Sequence, residues 1–139
     1  MTMNLSVVSP EGTVYQDTVD EISLPTPTGE ITILPHHVSL FTRMSSGIVN
    51  IKKGTKESII ATIGGFVEVD NGNVTILSDH LVKAENIQAA KAQEAKKRAE
   101  DTMKKKESDV DFIMAEKELQ RAIMELHVAD KIKKKQKYQ

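Results

Sequence analysis

Apolar and polar residues alternate in short bursts through the first half of the chain. Leu5 and Val7, then Val14, alternate with polar neighbours across a turn at Pro10-Glu11-Gly12. Ile22 and Leu24 do the same and stop at Pro25-Thr26-Pro27, and Ile31 and Ile33 form another pair between Gly29 and Pro35. A short apolar run, Val38 to Phe41, precedes Ser45-Ser46-Gly47. Ile48, Val49 and Ile51 lead into a tight turn at Lys53-Gly54, and Ile59 to Ile63 leave it. Val67 and Val69 run to Asp70-Asn71-Gly72, with Val74 and Ile76 beyond. Asn-Gly between two alternating runs is a strong hairpin signal. Successive side chains on a strand point to opposite faces, so the pattern predicts roughly eight to ten short, half-buried strands. Their close spacing leaves no room for helical crossovers and predicts an antiparallel sandwich or flattened barrel. Gly64-Gly65 predicts a bulge or a close backbone approach. Lys52, Lys53, Lys56 and the prolines are expected to guard the sheet edges.

The period then changes. All seven Gly and all four Pro lie between Pro10 and Gly72, so the stretch Asn73 to Gln139 is free of helix breakers and reads as long helix. Asn86 is placed to cap a helix beginning at Ile87. Ala92, Ala95, Ala99 and Met103 fall on one face, and Lys104-Lys105-Lys106-Glu107 closes that helix with cations near its negative end. Ser108 with Asp111 three residues on is a capping-box-like restart. Phe112, Ala115, Leu119, Ala122, Leu126, Ala129 and Ile132 then form a seam of coiled-coil spacing. Large residues on this seam facing Ala on the first helix predict an antiparallel hairpin, turning near Lys106 to Asp109. Ala buries little area, so the hairpin is expected to be lightly held and the least stable part of the molecule.

Composition narrows the chemistry. There is no Cys, which removes disulfides, thiolate metal sites and a Cys nucleophile and fits a reducing compartment. No apolar run approaches the roughly 20 residues that span a bilayer, and the first residues lack the layout of a signal peptide. Residues 1–82 carry four basic and nine acidic groups, and the remainder carries fifteen and eleven, so the two halves suit different partners. His36-His37 is the sole clustered pair of metal-ligand candidates. Adjacent histidines in an extended segment diverge, so a surface or structural role is the better reading. His80 and His127 read as helix-face polar residues. No nucleophile elbow, phosphate loop or dinucleotide fingerprint is present, and the chain is read as no enzyme. The tail from Lys131 to Lys137 is strongly basic. It reads as a solvated helix end or as a surface for an acidic protein. Nucleic acid is disfavoured because only Tyr138 accompanies the lysines.

Four stretches together carry a family likeness: Val7-Val8-Ser9-Pro10-Glu11-Gly12; Gly29-Glu30-Ile31-Thr32-Ile33-Leu34-Pro35-His36-His37; Gly64-Gly65-Phe66-Val67-Glu68-Val69 through Val74-Thr75-Ile76-Leu77; and Asp109-Val110-Asp111-Phe112 with the run Glu118-Leu119 to Val128. In this order the chain resembles the epsilon subunits of bacterial rotary ATP synthases along essentially its whole length. The resemblance implies an α+β protein: a sandwich of about ten antiparallel strands at 1–84 and a two-helix hairpin at 85–139. It implies a non-catalytic central-stalk subunit that couples the rotor ring to the catalytic head. It also implies inhibition of ATP hydrolysis when the helical arm extends into that head.

Carried over residue by residue, Gly29 and Glu30 match the loop facing the membrane rotor c-ring. His37 matches a histidine near the gamma subunit, and Ser108 is placed within reach of gamma. Arg98, Lys105, Arg121, Lys133, Lys134 and Lys135 are the arm cations expected to meet the catalytic alpha and beta subunits. Some members bind ATP as a regulatory ligand at a helix start reading Ile/Leu-Asp-x-x-Arg-Ala. Here Gln88 and Lys91 replace its Asp and Arg, and Glu125 stands where ATP-binding members carry a further Arg. Lys91, Arg98 and Arg121 are what remains of such a site, and weak ATP binding or none is expected. No cofactor and no metal are implied. The implied location is the cytoplasmic side of the inner (plasma) membrane, peripheral, through protein contacts only. His36 stands where the family usually has Gly, and Arg43 interrupts a stretch that is commonly apolar. The competing reading is a freestanding β-sandwich adaptor whose basic coiled-coil arm binds nucleic acid or another acidic partner.

Overall fold

The computed structural model describes residues 1–105 and 108–137, without the side chains of residues 134–137. Ten strands come first: β1 (Met3–Ser9), β2 (Gly12–Val19), β3 (Glu21–Thr26), β4 (Gly29–Ile33), β5 (Leu40–Met44), β6 (Gly47–Lys53), β7 (Lys56–Thr62), β8 (Gly65–Asp70), β9 (Asn73–Leu77) and β10 (Leu81–Lys83). A 3-10 turn, Ala84–Asn86, leads to helices α1 (Ala89–Lys105) and α2 (Asp109–Lys137). The chain divides into two compact units, Met1–Glu85 and Asn86–Gln139.

The first unit is a β-sandwich. One sheet has the order β2-β1-β9-β8-β5 and the other β10-β7-β6-β3-β4. Alternate residues of both sheets meet in one core: Leu5 and Val7, Ile22 and Leu24, Val49 and Ile51, Val67 and Val69, Val74 and Ile76 are all buried. These are the inward members of the alternating pairs, and β-branched residues fill a pleated face well. Every pairing is antiparallel except β1 with β9, where Asn4–Val8 run parallel to Asn73–Leu77. No turn signal announces that pair, because its strands come from opposite ends of the unit.

Several sequence expectations need correcting. The breaker-free stretch from Asn73 is not helical throughout: it opens with β9, which the Val74 and Ile76 alternation marked, and with β10. Helix α1 begins at Ala89 rather than Ile87, with the Ala92 N–H bonded to the Gln88 carbonyl at 3.0 Å. Asn86 ends the 3-10 turn, and the β-branched Ile87 separates the two helical segments. Strand β3 runs through Pro25 to Thr26. Proline is tolerated there because β3 pairs with β6 only over Glu21–Ser23, so no ladder donor is missing at Pro25. The edge strands are β2, β5, β10 and β4. Lys52, Lys53 and Lys56 sit instead on the interior strands β6 and β7, at the end of their hairpin.

Two of those lysines serve as ties. Lys52 pairs with Glu21 at 3.2 Å, and Lys53 reaches Asp17 at 2.8 Å, linking β6 of one sheet to β2 of the other. The Gly54 N–H donates to the Asp20 carboxylate at 2.6 Å. The Lys53 hydrogen bond, followed by one from the Thr18 N–H, holds the Asp17 carboxyl below its ordinary range. The close backbone approach expected at Gly64-Gly65 is present. Gly65 has φ of 126°, and a Cβ built there would lie 2.3 Å from the Leu77 carbonyl oxygen.

The second unit is the α1/α2 hairpin. Ser108 caps α2 as its spacing predicts: its hydroxyl accepts from the Asp111 N–H at 3.0 Å. The buried residues that recur on both helices are alanines. Ala92 and Ala99 of α1 and Ala115 and Ala122 of α2 are at most 4% exposed, and Val128 of α2 is the one larger side chain buried with them among the described residues. Each pair is one heptad apart on its helix, at matching levels about the turn. Phe112, Leu119, Leu126 and Ile132 are only half-buried. The seam thus sets Ala level with Ala rather than large against small, because only methyl side chains allow the closest helix approach.

Candidate functional site

An outer sheet face ordinarily carries polar side chains. One end of the β2-β1-β9-β8-β5 sheet does not. Strand register sets Arg43 of β5 opposite Phe66 of β8, Phe66 opposite Leu77 of β9, and Leu77 beside Val8 of β1. Phe41, on the same face of β5 as Arg43, stacks on Phe66 with ring centroids 5.7 Å apart and planes 16° from parallel. Phe41 is 66% exposed, and Phe66 and Leu77 are each 44% exposed. A depression of about 410 Å³ adjoins them, bounded by Val8, Pro10, Ile63, Phe66, Leu77 and Asp79. One row along, Phe41 faces Glu68, and Glu68 faces Thr75, so the apolar band stops there. Burying such aromatic area is a main source of affinity at protein interfaces. The band was legible in principle: Val67 and Val69 point inward, so period two sends Phe66 outward. Sequence reasoning took Gly64-Gly65-Phe66 only as a backbone feature and missed it.

The segment entering β5 carries the histidine pair. It is a turn, not the extended segment the sequence suggested: the His37 N–H bonds to the Leu34 carbonyl at 3.1 Å. His36 has φ of 69°, the left-handed region that favours Gly, which explains why a Gly-like position is tolerable to the chain only with strain. The His36 Nε2 lies 3.1 Å from the Met1 sulfur, and the His37 Nδ1 lies 2.7 Å from the Val38 carbonyl. Among the described residues no three His, Cys, Asp or Glu side chains are grouped to hold a metal ion. Leu34 and Val38 in this segment are exposed. Gly29 and Glu30 form the exposed start of β4 at the β3–β4 turn. The Thr26 hydroxyl steadies that turn by donating to the Gly29 carbonyl at 2.6 Å.

On the helical hairpin, Ala95 and Thr102 of α1 and Met114, Arg121 and Glu125 of α2 line an open groove of about 630 Å³. Arg98 is not a free outer cation: it pairs with Glu118 across the hairpin at 3.3 Å. Arg121 lies near Glu125. Partial burial raises the Glu125 carboxyl above its ordinary range, and the Arg121 charge offsets part of this. Lys91, Lys105 and Lys133 are exposed, as is the capping residue Ser108. Lys106 and the side chains of Lys134 and Lys135 lie outside the described residues. His127 is exposed on α2, but His80 lies in the β9–β10 connection rather than on a helix, with its N–H donating to the Ser78 hydroxyl at 3.3 Å. The three residues Lys91, Arg98 and Arg121 therefore do not stand as a free cationic trio.

A carboxyl whose folded pKa is raised binds its proton more tightly folded than unfolded. It contributes stability below the unfolded value, and that contribution is lost as pH rises through the folded one. Glu125→Gln should remove this loss, so that hairpin stability falls less between acid and neutral pH than in the parent, a small effect because the group is largely solvated. Helical melting followed by circular dichroism at about pH 4 and about pH 7 checks it. An unchanged pH dependence in the variant would refute the assignment.

Two family models match in succession: ATP synthase, Delta/Epsilon chain, beta-sandwich domain over residues 2–84, and ATP synthase, Delta/Epsilon chain, long alpha-helix domain over residues 85–130. The chain belongs to the ATP synthase delta/epsilon chain family. Its curated relatives include the ATP synthase epsilon chain of Bacillus mycoides (strain KBAB4), 39% identical over 93% of this chain and 97% of that one. The ATP synthase epsilon chain of Halalkalibacterium halodurans is 40% identical over 92% of this chain and 97% of that one. Among solved structures, a chain of the Euglena gracilis mitochondrial ATP synthase shares the fold. It superposes with a TM-score of 0.71 at 24% identity, covering 93% of this chain and 81% of that one. The two matched domains correspond to the sandwich and the hairpin described above, in the same order over residues 2–130.

Proposed function

We propose that this chain is the epsilon subunit in the central stalk of an F-type ATP synthase. In this reading the sandwich docks on the gamma subunit through its apolar outer band, and the Gly29-Glu30 turn meets the rotor c-ring. The hairpin is the arm that restrains ATP hydrolysis by reaching the catalytic alpha and beta subunits. The observation that carries the docking reading is the exposed Phe41–Phe66 stack. A sheet face gains nothing from two aromatic rings in water, and an interface gains most from such rings. His37 lies in the segment that enters β5 and belongs to the same side of the argument as a gamma contact. Family membership supports the stalk location and leaves the freestanding adaptor without a favouring observation.

No helix among the described residues is long and apolar enough to cross a membrane. The proposal places the chain peripherally at the cytoplasmic face of the inner membrane, held by protein contacts. It contributes no catalytic residue and needs no cofactor. On the arm, Lys105, Lys133, Lys134 and Lys135 are the cations proposed to meet acidic surfaces of the head. Arg98 becomes available to those surfaces only when its pair with Glu118 is given up, and Arg121 lies near the Glu125 carboxyl.

The test is binding to purified gamma. The double variant Phe41→Ala, Phe66→Ala should weaken binding about 30-fold or more, the usual scale for an aromatic hot spot. Circular dichroism would confirm that the sandwich stays folded. Full affinity in the folded double variant would refute this docking face.

A further inference from the structure

We propose that Arg43 is the recognition residue of the apolar band, and that the partner covering Phe41 and Phe66 presents a carboxylate to it. The inference rests on the docking reading above and adds the chemistry that makes docking selective.

Arg43 is exposed and ends the row Arg43–Phe66–Leu77–Val8. Strand β5 is an edge, so nothing in its sheet lies beyond it. Arg43 is also the sole cationic residue in the strands of that sheet. The other basic residues of the sandwich strands, Lys52, Lys53, Lys56 and Lys83, lie on β6, β7 and β10 in the opposite sheet. Lys52, Lys53 and Arg98 each have an ion-pair partner. Among the described residues the Arg43 guanidinium has none, although Glu68 occupies the same face one row along. The cation is held out, not tied down.

Arg43 shares its face with Phe41 and its row with Phe66, so a partner seated on the Phe pair lies against Arg43. A guanidinium taken out of water without a partner carries a desolvation penalty that can cancel the gain from burying a ring. Its planar fork of donors fits a carboxylate with two parallel hydrogen bonds. A partner that buries this row must therefore bring an acceptor, and an Asp or Glu side chain satisfies the fork best. A phosphate surface fits less well. Glu68 and Asp79 flank the band and repel a polyanion, and the depression beside Phe66 suits a protein side chain. An apolar protein surface bearing one carboxylate is thus the complement of this face, and a partner without that carboxylate is rejected by the desolvation of Arg43.

Purified gamma and the full chain test this by titration at low and high salt. Arg43→Glu is expected to weaken binding about 30-fold or more and Arg43→Ala about tenfold, with the salt dependence reduced in Arg43→Ala. Arg43→Lys should recover part of the loss, because a lysine keeps charge but not the fork. Arg43→Gln replaces Arg43→Glu if a glutamate disturbs β5. Phe66→Ala is measured alongside. Loss on Phe66→Ala with unchanged binding by Arg43→Glu overturns the Arg43 proposal and leaves the docking face standing. Unchanged binding by both removes the docking face too. Loss on Arg43→Glu with none on Phe66→Ala also overturns the proposal, because the carboxylate would then not lie over the aromatic pair.

Discussion

Gly65→Ala is expected to destabilise the sandwich by about 3 kcal/mol or more, the largest effect of any single methyl added to this chain. The backbone at Gly65 has φ of 126°, where an L-residue is strained whatever the space around it. Space is also lacking. The new Cβ would lie 2.3 Å from the Leu77 carbonyl oxygen and 2.9 Å from the Ser78 Cβ. A carbonyl in a strand cannot swing aside as a long side chain does. Relief requires β8 and β9 to separate just where Phe66 pairs with Leu77. The variant should lose denaturant stability and docking together. Chemical denaturation followed in the β unit checks the first, with a midpoint shift at unchanged slope. A loss below about 1 kcal/mol would mean that the two backbones part easily, against the geometry.

Truncation after Glu85 is expected to raise ATP hydrolysis by the assembled enzyme about fivefold or more, in line with the coupling energies of regulatory sites. Synthesis should continue, because the sandwich remains. The cut belongs at Glu85, beyond β10. Strand β10 pairs Leu81, Val82 and Lys83 with Thr62, Ala61 and Ile60 of β7, and an earlier cut strips that edge. The physical reason for a movable arm is the Ala seam. A buried methyl contributes about 0.8 kcal/mol, against about 1.5–3 kcal/mol for a buried Leu. Apart from Val128, the fully buried side chains of the described hairpin are Ala92, Ala99, Ala115 and Ala122, which hold it closely but weakly. The exposed Arg98–Glu118 pair adds little in water. Unchanged hydrolysis and synthesis in the truncated enzyme would reduce the arm to a passive spacer.

The two expectations draw on different levels of the chain. The strain at Gly65 could be suspected from Gly64-Gly65 between alternating runs, yet only the β8–β9 approach identifies Gly65 and the Leu77 carbonyl as the clash. The weak seam was readable from the Ala spacing on both helices, but which of its residues meet was not. Sequence periodicity marks a face, and the close helix approach chose Ala on both helices over Phe112 and Leu119. Arg98 shows the same limit. It reads as an outward cation on α1, and only the fold brings Glu118 of α2 to it, since ion pairing across elements leaves no local pattern.

The alternating runs, the turn signals and the change to helical spacing were enough to establish eight to ten short strands followed by a helical hairpin. They also marked the Ser108 cap and a family likeness. These are properties of neighbouring residues: side-chain direction, turn chemistry and capping act over a few positions, so they are written locally. The parallel β1–β9 pair, the true sheet edges, the Phe41–Phe66 stack and the isolation of Arg43 came only with the tertiary fold. Each depends on which distant strands lie side by side, and register between segments far apart in the chain is set by the packing of the whole core.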